Sequence, residues 1–171
     1  MKKLMVVLFV VLGTQLMTAQ SKSELKKEKA ATEYAAMKEL IASGKYKFVG
    51  DRALPSGHRS ISLTTNENFV KINDGMADGY MPFFGRRYSG GGYGDSGGIE
   101  FKGEMEKYEV NNNDKKSRVE INFSAKGKSQ NYDVSISTGG SGWASMIIKG
   151  SDSSTISYNG KVSELKEEEE Q

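Results

Sequence analysis

The sequence predicts a mainly β protein: an antiparallel barrel or half-barrel of about eight strands with one N-terminal helix. Three observations predict it. Apolar and polar residues alternate with a period of two through most of the chain from Tyr46 to Val162. The alternating runs are joined by short connections rich in Gly, Asn, Asp and Ser, which makes successive strands antiparallel neighbours. One stretch alone, 21–43, carries a helical period. A sheet of about eight strands with one apolar face is expected to curl, with the helix covering a face or a mouth. The competing architecture is a two-layer α+β sheet.

The chain begins with Lys2 and Lys3, then the apolar run Leu4–Leu12, then Thr18-Ala19-Gln20. This is the layout of a signal peptide over residues 1–19, cut after Ala19. Nine apolar residues fall short of a bilayer span, so no transmembrane anchor is expected after cleavage. There is no cysteine, which excludes disulfides and a lipid-modified N-terminal cysteine. The expected location is the periplasm or the medium, and stability must come from the core alone. Removal of Lys2 and Lys3 lowers the 24 basic residues to 22, equal to the 22 acidic ones. A neutral body without a basic stripe argues against a nucleic-acid partner.

In the N-terminal helix segment, 20–44, Ser21 and Glu24 form a capping box, and Ala30, Tyr34, Met37 and Ile41 make an apolar stripe. Gly44 stands where a left-handed stop is wanted. The antiparallel domain is placed at 45–163. Tyr46, Phe48 and Gly50 alternate with lysines and Val49 up to Leu54-Pro55, and Ile61 and Leu63 follow. Phe69–Ile72 pairs with Met76–Met81 across the turn Asn73-Asp74-Gly75. Ile99 and Phe101 restore alternation, then Tyr108 and Val110, then a turn at 111–114. Val119, Ile121 and Phe123, then Tyr132, Val134 and Ile136, then 143–149, then Ile156, Tyr158 and Val162 complete a four-strand meander. The run 164–171 is an acidic tail, read as a solvated end. No internal repeat is present.

The segment least like its surroundings is 80–101. It holds Tyr80, Pro82, Phe83 and Phe84, then Arg86 and Arg87, then a run with seven glycines from Gly85 to Gly98. An aromatic ring is expected to anchor it, with Phe84 as the test position and both arginines exposed. Arg86, Arg87, Tyr88 and Tyr93 are the candidate ligand-binding residues, because arginine forks and aromatic faces suit an anion or a sugar.

Gly94-Asp95-Ser96-Gly97-Gly98 spells the GDSGG of trypsin-like serine proteases. His58 precedes it and Asp74 or Asp78 lies between, the order of the chymotrypsin family. Only 38 positions separate His58 from Ser96, too few to build a barrel between them, and Ile99 stands where that family has proline. The five residues are read as a chance match, because triads are defined by geometry and roles. The glycine run lacks the phosphate-loop lysine, and one histidine without cysteine argues against a metal. Glu104 and Glu106 read as a solvated edge, not an acid/base pair. No catalytic constellation, cofactor or metal is therefore expected.

The helix, then Tyr46-Lys47-Phe48 and Pro55, then Met81-Pro82-Phe83-Phe84-Gly85-Arg86, Tyr93-Gly94 and Gly97-Gly98-Ile99-x-Phe101, resembles a family of secreted Bacteroidetes proteins, the domain of unknown function 4251. Met81 and Phe83 stand where the family favours leucine and tyrosine, and Tyr158-x-Gly160 fits its closing strand. The resemblance covers nearly all of the mature chain. It implies a compartment and an architecture, and it places the glycine pair before Ile99 outside any protease context. The family carries no established activity. Members often bear a lipid-anchor cysteine, which this chain lacks, so the resemblance leaves it soluble. The expected function is an exported, non-enzymatic binding or envelope-associated module for an apolar or glycan ligand or an envelope component. The alternative is a hydrolase using the loop from Arg86 to Ser96.

Overall fold

A computed structural model describes residues 22–57, 59–88 and 97–166. The expectations for the signal peptide, Ser21, His58, Tyr93 and Ser96 lie outside these residues. The chain forms a helix, α1 (Lys22–Ala42), and ten strands: β1 (Lys45–Pro55), β2 (Ile61–Ser62), β3 (Phe69–Asn73), β4 (Met76–Pro82), β5 (Gly98–Glu104), β6 (Glu106–Asn113), β7 (Arg118–Lys126), β8 (Asn131–Gly139), β9 (Trp143–Gly150) and β10 (Ile156–Glu164). All pairings are antiparallel, in the order β5-β4-β3-β1-β10-β9-β8-β7-β6, with β2 alongside β1.

The two ends of that order are one nearly continuous run of chain. Only Met105 separates β5 from β6. The first half of the run pairs with β4 and the second half with β7, so a single bent strand joins both edges of the sheet. A lone bridge between Phe101 and Gly127 adds a second link across the seam. Counting that run once and leaving β2 aside, eight strands form a nearly closed barrel.

Apart from β6, which is exposed along nearly all its length, the long strands turn alternate residues inward, as the sequence pattern requires. The interior is filled by Tyr46, Phe48, Val70, Ile72, Met81, Phe101, Ile121, Ile136, Met146, Ile148 and Tyr158, all buried in one cluster. Burying each of the larger side chains stabilises by roughly 1.5–3 kcal/mol. Between β3 and β4, Asp74 and Gly75 both have positive φ, 46° and 88°. That is the backbone of a tight hairpin whose twist matches its strands. In β1 a bulge at Asp51 shifts the register against β10. Beside it the Gly50 N–H is met by the Oδ1 of buried Asn68 at 2.6 Å.

The helix ends at Gly44, whose φ of 71° gives the left-handed stop. Tyr34, Met37 and Ile41 are buried, but Ala30 is exposed along with the whole first half of the helix. The helix therefore packs with its C-terminal half only. It covers the mouth formed by the β6–β7 and β8–β9 connections. The Tyr34 hydroxyl donates to Asp114 Oδ1 at 3.0 Å, and Lys38 pairs with the same carboxylate at 3.4 Å. These two partners hold the Asp114 carboxyl below its ordinary range. The backbone of Glu33 and Tyr34 lies so close to Gly140 that a Cβ there would sit 2.6 Å from the Tyr34 nitrogen.

Two boundaries differ from expectation. The turn placed at 111–114 comes later: β6 runs to Asn113, and a short 3-10 turn, Asp114–Lys116, reverses the chain. Its first donors are capped by Asn113, whose side chain accepts from the Lys116 N–H. The packed chain also continues past 163. Glu164 is the last residue of β10 and Leu165 is buried.

Candidate functional site

The segment after β4 lies at the mouth opposite the helix. It begins on a fixed point: the hydroxyl of buried Tyr158 donates to the Pro82 carbonyl at 2.8 Å. Burial pushes the Tyr158 pKa up, with Tyr132 nearby adding to the effect, so the phenol remains a donor. Phe83, half-buried, packs against the core cluster. Residues 86–88 then run as a short extra rung along the β9–β10 turn. The Arg86 N–H donates to Ser154 Oγ at 2.9 Å, the Ser154 N–H donates to the Arg86 carbonyl at 2.9 Å, and the Tyr88 N–H donates to the Asp152 carbonyl at 2.9 Å. Gly85 makes the approach possible, since a Cβ there would collide with Ser154 Oγ and the Phe83 ring.

This rung separates the two arginines. Arg87 is half-buried, and its Nη2 donates to the Gly98 carbonyl at 2.7 Å. Its guanidinium carbon lies 5.6 Å from the centroid of the Phe83 ring. Arg87 thus staples the two ends of the loop together. The expectation that both arginines are exposed is corrected: alternation along the rung turns Arg87 inward and Arg86 and Tyr88 outward. Tyr88 is 71% exposed and Phe84 is 37% exposed. Both line a hollow of about 500 Å³ with Arg86, Ser56, Gly57 and Ser154. No described residue pairs with the Arg86 guanidinium, whereas its backbone is held on both sides.

The anchoring role expected of Phe84 is corrected as well. Phe83 packs on the core, and Phe84 faces the hollow. Phe83→Ala is therefore expected to cost about 1–2 kcal/mol, the half-buried share of a full phenylalanine burial. Arg87→Ala, which strips the Gly98 carbonyl of its donor, should cost about 1–3 kcal/mol. Phe84→Ala should cost less than about 1 kcal/mol. Thermal unfolding of the three variants side by side checks this order. A larger loss for Phe84→Ala than for Phe83→Ala would reverse the assignment of the anchor.

Of the carboxylates considered for a triad, Asp74 pairs with Lys45 at 3.9 Å and Asp78 pairs with Lys102 at 2.9 Å. Asp78 pairs across neighbouring strands, and Asp74 pairs from the β3–β4 turn. Glu104 and Glu106 are exposed at the bend between β5 and β6. Among the described residues, no group of three His, Cys, Asp or Glu side chains could hold a metal ion. Ser56 and Ser154 were missed by sequence reasoning. Both sit in turns whose composition signals only a reversal of the chain.

A family model, Domain of unknown function (DUF4251), matches residues 28–162. No curated protein matches the chain. The fold is similar to the crystal structure of a DUF4251 family protein from Bacteroides eggerthii DSM 20697 at 1.95 Å resolution. The TM-score is 0.60 at 16% sequence identity, over 80% of this chain and 91% of that one. The matched span takes in the helix from Glu28, the barrel wall and the loop with its arginine staple, so this chain belongs to the DUF4251 family.

Proposed function

We propose that the protein is an exported, non-enzymatic binding module that holds a glycan at the barrel mouth opposite the helix. The basic, apolar and small-residue layout of residues 1–19 supports export. The barrel interior is occupied by its own side chains, which an eight-stranded barrel is just wide enough to allow, so the ligand is held by loops at the rim. One observation carries the reading. Arg86, without a carboxylate partner among the described residues, stands between the exposed faces of Phe84 and Tyr88 over a hollow of about 500 Å³. The backbone beneath is pinned by three hydrogen bonds to the β9–β10 turn. Aromatic faces take the C–H surface of a sugar ring, and a guanidinium fork takes its hydroxyl or carboxylate oxygens. A site on a rigid support loses little entropy on binding.

Native mass spectrometry of the protein with a panel of oligosaccharides tests this reading. Arg86→Ala and Tyr88→Ala are each expected to weaken the bound sugar roughly tenfold, the loss of one charge-assisted or aromatic contact. Both variants should melt with the wild type. A sugar that binds both variants as tightly as the wild type would remove this site from the proposal.

A further inference from the structure

The only tryptophan of the chain, Trp143, points away from the core. It lies on the outer face of β9, where alternation sends Ala144, Met146 and Ile148 inward, and it is 56% exposed. A large aromatic held on a rigid strand and left in water gives up the burial that would otherwise stabilise the fold. Its surroundings are polar and ordered in rows. Register places Arg52, Asn159, Ser145 and Ser137 side by side across β1, β10, β9 and β8. Lys161 lies directly across from Trp143, with its ammonium 4.5 Å from the ring centroid. Arg118 is held over the same face by a 3.2 Å bond from its Nη1 to Ser137 Oγ. Arg52 is held likewise by a 3.0 Å bond to Ser60 Oγ.

Together these residues surround a shallow hollow of about 430 Å³, lined by Trp143, Arg52, Arg118, Ser145, Asn159 and Asp51. Three cationic side chains stand around the indole; the carboxylates near them are Asp51, in the lining, and Glu120, directly across from Ser137 at the end of the row. Neither arginine has a carboxylate partner among the described residues.

We propose that this face is a second site, for an anionic saccharide of the uronic-acid class. The indole gives a flat apolar surface for the ring of one sugar. Arg52 and Arg118 flank it with planar donor forks that match a carboxylate. Asp51, Asn159 and Ser145 supply the acceptors and donors that sugar hydroxyls need. Charge complementarity fixes the class of occupant: a neutral sugar leaves the arginines unused, and a cationic one is repelled. The wall beneath is hydrogen-bonded strand, so the site is formed before the ligand arrives.

Being the sole tryptophan, Trp143 reports on the site by its own fluorescence. Titration of the full-length protein with an oligogalacturonate is expected to change that emission saturably, and added salt should weaken the effect because the contacts are exposed charges. Arg118→Ala and Arg52→Ala should each weaken the response roughly tenfold, and Arg118→Lys should restore only part of it, since the ammonium lacks the fork. The Arg86→Ala/Tyr88→Ala double variant should titrate as the wild type does, which separates this site from the one at the mouth. No emission change with oligogalacturonate would overturn the proposal. So would an equal response to a neutral oligosaccharide of the same length, or one that both arginine variants retain in full.

Discussion

Phe101→Ala is expected to lower stability by about 3–5 kcal/mol, the usual loss for emptying a core phenylalanine site. That is a large part of the roughly 5–15 kcal/mol a domain of this size has in total. The Phe101 ring is buried on β5 and meets Phe123 edge-on, with centroids 6.3 Å apart and planes at 73°. The Tyr132 ring lies 6.0 Å away, tilted at 45°. Directly across on β4 stands Gly79, and the ring occupies the space a side chain there would take. The same residue makes the bridge to Gly127 that helps to close the seam. Gly79→Ala should therefore also destabilise the wild type, because its Cβ would be driven into the ring. In the Phe101→Ala background the same substitution meets an empty space and should cost little or even restore some stability. The coupling between the two positions is expected at about 1–3 kcal/mol. Urea unfolding of the four proteins measures it. Additive losses would mean that the ring does not lie over Gly79.

The barrel was legible in the sequence wherever one rule acted alone. Val119, Ile121 and Phe123 on β7 and Tyr132, Val134 and Ile136 on β8 alternate because one face of each strand is buried, and they were placed correctly. The Asp74-Gly75 hairpin was legible because only a few residue types accept positive φ. β6 was harder. All but its last residue are exposed, so its sequence, EKYEVNNN, carries a weak period, and the asparagines that read as a turn are strand. It is held by pairing with β7, and Tyr108 reaches across to the hydroxyl of buried Tyr46 at 3.1 Å. Ala30 failed for a different reason. Helical period says which residues share a face, and the length of the surface that face meets is set by the barrel mouth, which ends near Tyr34.

At the mouth, the sequence pointed to the right segment but not to the division of labour within it. Arg86 and Arg87 are adjacent and chemically alike. What separates them is a rung of backbone hydrogen bonds to Asp152 and Ser154, residues more than sixty positions away. Phe83 and Phe84 are likewise adjacent and alike, yet only Phe83 packs on the core cluster. On the outer wall Trp143 was placed in the strand 143–149, with no side assigned to it. Its exposure depends on the parity of β9, fixed by Ala144, Met146 and Ile148 facing inward, and its companions Arg52, Arg118 and Asn159 come from three other strands.

Gly160→Ala is expected to destabilise by about 1–3 kcal/mol, the range for forcing extra atoms into a packed site. Gly160 pairs directly with Gly50 across β10 and β1, just before the bulge at Asp51. The two strands approach so closely there that a Cβ on Gly160 would collide with the Val49 carbonyl oxygen. It would also lie 2.8 Å from the Gly50 Cα and 2.9 Å from Cζ of Phe48. The first two of these are backbone and the third is a buried ring, so none can swing aside. Relief requires the two strands to part beside the bulge in β1. Gly139, also in a strand, is the control. A Cβ there would meet only the Ser117 carbonyl, at 3.9 Å, an ordinary contact. Gly139→Ala should be neutral or should stabilise by up to about 1 kcal/mol, because alanine restricts the unfolded chain. Thermal unfolding of the two variants against the wild type decides. If Gly160→Ala melts at or above the wild-type temperature, the close approach of β1 and β10 does not depend on the missing side chain.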